Sequence, residues 1–203
     1  MEMNLPIDAK VLCADGLGGR STRVIVNPVT RKVTHLVVRE RDLRRTERLV
    51  PIGHIRATVD GAIYLDCTRQ ELAKMERPPE TELVWADIPG LDEPHPYLLS
   101  PDIACKLSMV RRGSLPEGEL CIRRGARVQA TDGKAGSIDE IAITPGNGEI
   151  THLLLRAGYP WGWKEVAVPV SEIDRLEERT VHLKLDRKGV EALPSVQVRR
   201  KWL

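Results

Sequence analysis

The sequence predicts an all-β protein made of two small, partly open barrels related by an internal duplication, each ending in a short helix. The first observation is a repeat: at an offset of 117, residues 9–39 match residues 126–156 without a gap, with ten identical pairs. After one inserted residue the offset becomes 118, and Val50-Pro51-Ile52 aligns with Val168-Pro169-Val170. A register kept over about sixty residues indicates a duplication. The second observation is that short β-rich stretches alternate with turn dipeptides in both copies, which favours a barrel or sandwich.

Each copy begins with a glycine-containing turn. Asp-Gly dipeptides are typical of tight turns, because glycine accepts the positive φ that such turns demand. A further glycine follows three residues later in both copies. The repeated residues predicted to be structural turn residues are Asp15, Gly16, Gly19, Asp132, Gly133 and Gly136. They fit neither a dinucleotide-binding fingerprint nor a P-loop.

The clearest strands are residues 33–39 and 150–156, which are apolar on both faces, as expected of a strand covered on both sides. The repeated prolines, Pro51 and Pro169, predict a sheet edge or bulge, because proline donates no ladder hydrogen bond. Each copy should close with a short helix. Thr68 to Glu71 has the form of a capping box, and the equivalent stretch starts at Asp186.

The repeat divides the chain into residues 1–77, a divergent first copy, and residues 118–203, the second copy with a basic tail. Residues 78–117 hold seven of the fourteen prolines and carry three basic against seven acidic side chains. Proline density and acidity are typical of an extended linker. Its apolar residues indicate a linker that packs on one or both barrels.

Composition excludes several classes of protein. Lysine and arginine number 31 against 29 acidic residues, so net charge alone argues against a strongly cationic nucleic-acid binder. The sequence has no apolar run of the ~20 residues that cross a bilayer and no signal-peptide pattern at its start. We therefore expect a cytoplasmic protein, with peripheral membrane association left open.

Metal and cofactor sites are not expected. The four cysteines form no CxxC pair and have no histidine at zinc-site spacing, so they are interpreted as reduced, half-buried residues. They are Cys13, Cys67, Cys105 and Cys121. His35 and His152 recur in both copies, but each lies between apolar neighbours on its strand face. A structural role is favoured over a metal or proton-transfer role, and no catalytic motif is present.

The second copy resembles the PRC-barrel family, named for the cytoplasmic barrel of the photosynthetic reaction centre H subunit; the C-terminal domain of a ribosome maturation factor is similar. The resemblance rests on residues 128–141, 149–153 and 164–170, and extends to the first copy through the repeat. It implies a small barrel that serves as an adaptor or assembly surface, with no catalytic residues. The first copy departs from the pattern, because residues 41–49 replace the glycine- and tryptophan-rich run 158–164.

Three groups of residues are candidates for binding. The run 158–164 concentrates aromatic residues, which are favoured at interfaces. Two repeated arginines fall where the barrel ends meet solvent; they suit a partner's carboxylate or phosphate, but a local salt bridge is favoured. The partner-binding candidates are Tyr159, Trp161, Trp163, Arg39 and Arg156. The arginine-rich run 39–48 and the tail suit phosphate contact, although interleaved acids also suit a self-paired loop. The candidate nucleic-acid contacts are Arg41, Arg44, Arg45, Arg48, Arg199, Arg200 and Lys201.

The expected function is that of a non-catalytic adaptor that binds a protein partner through a barrel surface, without a cofactor. An RNA- or ribosome-associated maturation factor is the first alternative. A barrel that binds a small molecule or a metal is the second, and it rests only on the paired histidines. A homodimer is compatible with each of these.

Overall fold

The computed structural model describes residues 2–42, 44–78, 80–85, 107–112, 118–159, 162–177 and 179–196. These residues form an all-β fold with two barrel-like sheets and two short α-helices. They divide into two compact units, Met1–Arg77 with Gly118–Leu203, and Pro78–Glu117. Both copies of the repeat therefore belong to one unit. The expected packing of residues 78–117 on the barrels stays a prediction.

The first copy contributes seven strands and one α-helix. They are β1 (Met3–Pro6), β2 (Lys10–Cys13), β3 (Gly16–Asn27), β4 (Lys32–Glu40), β5 (Glu47–Pro51), β6 (Ile55–Val59), β7 (Ala62–Leu65) and α1 (Arg69–Lys74). A 3₁₀ turn, Ile52–His54, joins β5 to β6. In the second unit, β8 (Glu80–Trp85) pairs antiparallel with β9 (Leu107–Arg112).

The second copy repeats the same order. Its elements are β10 (Leu120–Arg123), β11 (Arg127–Ala130), β12 (Gly133–Ile143), β13 (Ile150–Tyr159), β14 (Gly162–Pro169), β15 (Ile173–Leu176), β16 (Thr180–Leu183) and α2 (Arg187–Ala192). A 3₁₀ turn, Val170–Glu172, follows β14. The two sheets have matching strand orders, β5-β4-β3-β2-β7-β6 and β14-β13-β12-β11-β16-β15. Pro51 and Pro169 end β5 and β14, the terminal strands of these orders.

The first strand of each copy pairs with the sheet of the other copy. β1 runs antiparallel to β12, with Met3 opposite Ile143, and β10 runs antiparallel to β3, with Leu120 opposite Val26. Adding 117 to Met3 gives Leu120, and subtracting 117 from Ile143 gives Val26. The two pairings are therefore reciprocal, as in a twofold-symmetric interface, although both lie in one chain.

A second pair of reciprocal contacts joins the copies at the start of β4 and β13. The Val33 N–H donates to the Gly148 carbonyl at 2.8 Å, and the Ile150 N–H donates to the Arg31 carbonyl at 3.0 Å. Gly148 has φ +70°, and a Cβ there would lie 2.2 Å from the Val33 carbonyl oxygen. Glycine at this position lets the two backbones meet.

The buried residues of both copies form one hydrophobic cluster rather than two. Leu5 and Ile122, on the exchanged strands, are 0% and 1% exposed. Leu72 of α1 and Val190 of α2 are also buried in the cluster, so each helix fills space under its own sheet. α1 begins with the capping box formed by Thr68 and Glu71.

We expect residues 1–77 and 118–203, produced as separate chains, to assemble into a one-to-one complex. Each fragment alone leaves an unpaired stretch of β3 or β12 and an uncovered apolar surface, so each should fold only in the presence of the other. Circular dichroism and light scattering of the fragments, alone and mixed, check this.

Leu5→Ala in the first fragment should weaken the association about 30-fold or more, because truncating a buried leucine costs about 2–5 kcal/mol. Val29→Ala, at a position that is 88% exposed, is the matched control. A 1–77 fragment that folds alone and ignores its counterpart would show that the exchanged strands are dispensable.

Candidate functional site

The aromatic run of the second copy lies at the end of the β13–β14 hairpin. Gly158 is opposite Trp163, and Tyr159 is opposite Gly162. Only two residues connect this last pair, Pro160 and Trp161, and they lie outside the described residues. β14 is the terminal strand of its sheet, so the hairpin end stands at a sheet edge.

This hairpin is bonded, two residue pairs from its last pair, to the helix of the same copy. The Lys164 ammonium donates to the carbonyl oxygens of Glu191 at 2.7 Å and Leu193 at 2.9 Å. These carbonyls belong to the end of α2, where a cation is favourable because carbonyls there lack helical partners. Further along β14, the Val196 N–H donates to the Glu165 carbonyl at 2.9 Å. The end of α2 and the segment that follows it therefore bond to β14, the outer strand of the hairpin.

Arg39 lies in a cluster around one half-buried carboxylate. Its Nη2 donates to Glu47 Oε1 at 2.9 Å, Arg23 donates to Glu47 Oε2, and the Thr22 hydroxyl donates to Oε1 at 3.2 Å. Burial raises the pKa of Glu47, but the charges of Arg23 and Arg39 outweigh burial and leave this pKa below its ordinary value. Arg39 is 46% exposed, so donors beyond the one given to Glu47 face solvent.

Arg156, the equivalent of Arg39, approaches a different carboxylate. Its Nη2 lies 3.9 Å from Oδ2 of Asp139, a buried residue whose Oδ1 accepts from Arg124 Nε at 2.6 Å. The equivalent of Asp139 in the first copy is Thr22. The two arginines therefore occupy matching positions in different electrostatic surroundings.

The arginine-rich run 39–48 covers the end of β4, the loop that follows it and the start of β5. Arg41, Arg44 and Arg45 are exposed in this loop. Arg48 has a structural role, because its Nε donates to Glu40 at 2.5 Å and its Nη1 to the Met75 carbonyl at 3.1 Å. The three basic residues of the tail, Arg199, Arg200 and Lys201, lie outside the described residues.

Asp42 forms hydrogen bonds with two later residues of this loop. Its carboxylate accepts from the Thr46 N–H at 2.8 Å and the Thr46 hydroxyl at 2.6 Å, and its carbonyl accepts from the Arg45 N–H at 3.1 Å. The bonds from Thr46, hydroxyl first, hold the pKa of Asp42 below its ordinary value. Arg45 has φ +51° within this turn.

The repeated histidines lie on β4 and β13, and each is partly buried. His35 Nδ1 lies 3.1 Å from the hydroxyl of Thr34. His152 Nδ1 lies 3.3 Å from Glu2 Oε1, a contact between the copies. No cluster of three or more histidine, cysteine or acidic side chains suited to a metal occurs among the described residues.

The repeated aspartates anchor the helices. Asp15 accepts from the Arg69 backbone N–H at 2.9 Å and from its Nε at 3.2 Å. Asp132 accepts from the same atoms of Arg187 at 2.8 and 3.2 Å. The backbone bond is the main cause that lowers the pKa of each aspartate. The repeat relates Asp15 to Asp132, but sequence spacing does not connect either aspartate to an arginine 54 or 55 residues later.

The repeated glycines have two different roles. Gly16 and Gly133 follow the turn with φ +129° and +145°. Gly19 and Gly136 lie inside β3 and β12 rather than at the turn. A Cβ would lie 2.1 Å from the Arg39 carbonyl oxygen at Gly19 and 2.4 Å from that of Arg156 at Gly136. Close approach of neighbouring strands, not turn geometry, requires glycine there.

Cys13 and Cys67 are buried together, which their separation of 54 residues did not indicate. Burial, and then the neighbouring Cys67 thiol to which it hydrogen-bonds, raise the pKa of Cys13 to about 12. Both are protonated at neutral pH and therefore poor nucleophiles. The second copy has Ala130 and Leu185 at these positions.

Comparisons add no family assignment. Neither the protein-family models nor the curated proteins contain a match to this chain. No helix in the described part of the chain is long and apolar enough to span a membrane.

Loss of the Asp15 carboxylate should reduce stability in a pH-dependent way. Because folding lowers its pKa, Asp15 stabilises the protein above its ordinary pKa of 3.8, and this contribution disappears as pH falls through the lowered value. Asp15→Asn should therefore lower Tm at pH 7, and less so at pH 2.5. Calorimetry at both values checks this.

The second copy supplies a replicate of this measurement, since Asp132→Asn should behave in the same way. Asp174→Asn, at an exposed position of β15, is the control. A Tm difference for Asp15→Asn that is equal at the two pH values would contradict the role assigned to its charge.

Gly18→Ala should destabilise the protein by about 1–3 kcal/mol, because the new Cβ would lie 2.6 Å from Cys13 Sγ. The second copy has alanine at both equivalent positions, 135 and 130. We therefore expect Cys13→Ala to relieve the clash, so that the double variant unfolds at a higher urea concentration than Gly18→Ala. Strictly additive free energies of unfolding would contradict this coupling.

Proposed function

We propose that this chain is a non-catalytic PRC-barrel adaptor of the cytoplasm, which binds a protein partner through a barrel surface. The segments that carry the family resemblance fall on the strands that such a barrel requires. Residues 128–141 span β11 and β12, residues 149–153 include the start of β13, and residues 164–170 cover β14 up to the 3₁₀ turn. The family assignment is part of the proposal.

The observation that carries the proposal is the β13–β14 hairpin. Its backbone register places a run with three of the chain's seven aromatic residues at the end of an edge hairpin. Lys164, close to the turn of that hairpin, anchors it to α2. Tyrosine and tryptophan are enriched where proteins bind one another, because they bury a large area at a low entropic cost. A fixed hairpin with an aromatic end suits this use.

The proposed binding surface consists of Tyr159, Trp161 and Trp163, with Arg156 on the same strand as Tyr159. The first copy has no such run and differs at this hairpin, where its arginine-rich loop stands instead. The protein partner should therefore contact the second copy.

The test is an affinity pull-down from native cytoplasm, treated with nuclease, followed by identification of the retained proteins. A discrete protein that the wild-type chain retains and the Trp161→Ala/Trp163→Ala variant loses at least tenfold would support the proposal. Val29→Ser is the control, because it alters an exposed apolar residue of the other copy's β3–β4 hairpin.

Retention of no protein after nuclease treatment would contradict the adaptor proposal. So would a partner retained equally by the wild-type chain and the tryptophan variant. Matching thermal unfolding curves for the three proteins establish that any loss of binding reflects the surface and not the fold.

A further inference from the structure

Three cations form a row across the outer face of the first copy's sheet. Lys10 on β2 lies opposite Arg20 on β3, and Arg20 lies opposite Arg39 on β4. Directly opposed residues on neighbouring strands share a face of the sheet. All three are exposed, whereas Val11, which follows Lys10, and Val38, which precedes Arg39, are buried. With strands about 4.8 Å apart, the row extends about 10 Å.

The row is not a requirement of the barrel. Like charges that are directly opposed destabilise a sheet. At the matching register of the second copy, Arg127 lies opposite Ser137, and Ser137 lies opposite Arg156. The same fold therefore forms with an uncharged residue in the middle. The central arginine of the first copy adds positive charge that the packing does not need.

The loop between β4 and β5 extends the positive surface. It follows Glu40, the residue after Arg39, and exposes Arg41, Arg44 and Arg45; Asp42 accepts two hydrogen bonds from Thr46 within it. These bonds join Asp42 to Thr46 before any ligand binds, which lowers the conformational entropy lost at these two residues on binding.

An exposed aromatic ring lies on the same face. Val11 and Ile63 are paired between β2 and β7, and both are buried. Lys10 precedes Val11 and Tyr64 follows Ile63 in the sequence. Because successive side chains of a strand point to opposite faces, both Lys10 and Tyr64 point to the outer face. Tyr64 is 39% exposed. Proteins that bind single-stranded nucleic acid combine cations for the backbone with aromatic rings on which bases stack.

Counterion release favours a chain of phosphates over separate carboxylates as the ligand. Arg20 has Asp8 at 3.1 Å and Arg39 has Glu47 at 2.9 Å, each through one nitrogen. Any anionic ligand competes with these two carboxylates for donors, and a single exposed ion pair contributes little, so the ligand needs several contacts along one chain. A chain of phosphates also releases its condensed counterions at each contact.

We infer that the outer face of the first copy's sheet binds single-stranded nucleic acid. Lys10, Arg20 and Arg39 contact the phosphates, and the loop arginines extend that contact. The ring of Tyr64 stacks on a base. This surface lies in the copy that does not carry the aromatic hairpin, so it does not depend on the protein-binding function proposed above.

The test is fluorescence anisotropy of a labelled twelve-nucleotide oligouridylate with the full chain between 50 and 200 mM salt. Arg20→Ser, which copies the residue of the second copy, should weaken binding several-fold and reduce the salt slope by about 0.7, the value of one lost phosphate contact on a single strand. Tyr64→Ala should weaken binding and leave the slope unchanged.

Matched variants separate this surface from other cations. Arg175→Ser removes an exposed arginine of β15 in the second copy and should bind as the wild type does. Binding that survives Arg20→Ser but disappears when Arg199, Arg200 and Lys201 are replaced by serine would overturn the inference and assign binding to the tail.

Two further results would also overturn it. One is the absence of binding at 50 mM salt by a wild-type chain that unfolds cooperatively. The other is displacement of the oligouridylate by polyglutamate of equal charge at equal concentration, which would indicate an acidic protein segment as the ligand.

Discussion

The exchange of one strand between the two copies is the constraint on which the rest of the structure depends. β3 and β12 are long because each pairs along one side with two shorter strands, one from its own copy and one from the other. β12 pairs with β11 through Arg127–Ala130 and with β1 through Met3–Pro6. The exchange merges the apolar residues of both copies into one core. It also explains why the copies hold their register, since a one-residue slip in β1 would turn Leu5 away from that core.

Within this interlocked core the copies have diverged in compensating pairs. Where the first copy has Cys13 and Gly18, the second has Ala130 and Ala135. The Cβ of Ala135 therefore corresponds to space that the Cys13 thiol occupies in the first copy. At the junction between copies, Arg31 with φ +54° corresponds to Gly148 with φ +70°. Arg31 has a side chain where Gly148 has none, and its guanidinium donates to the carbonyls of Val170 and Ile173 across the junction, at 2.9 and 3.1 Å. Such pairs keep the backbone of a duplicated fold while its side chains change.

The repeat, the strands and the helix caps could be predicted from the sequence because they depend on local patterns. Capping at Thr68 is such a case, since a Ser/Thr-x-x-Glu spacing satisfies its hydrogen bonds within four residues. Strand exchange could not be predicted in this way, because β1 is equally apolar whichever sheet it joins. The roles of Gly19 and Glu47 were missed for a related reason. Gly19 is required by the close approach of β4, and Glu47 is bonded by two arginines that lie 8 and 24 residues away in the sequence. Neither contact in space can be read from sequence spacing.

The strand exchange also limits where such a protein can acquire new functions. Residues of the shared core serve both copies at once, so a change there affects two sheets, whereas the hairpin ends and outer faces belong to one copy each. Both proposed binding surfaces lie on such parts: the arginine-rich loop between β4 and β5 corresponds to the aromatic run of the β13–β14 hairpin, and Arg20 corresponds to Ser137. A duplicated barrel that was free to separate could vary its interior in each copy. Because these copies are bound through exchanged strands, the hairpin ends and outer faces are the places where one copy can acquire a new contact without disturbing the other.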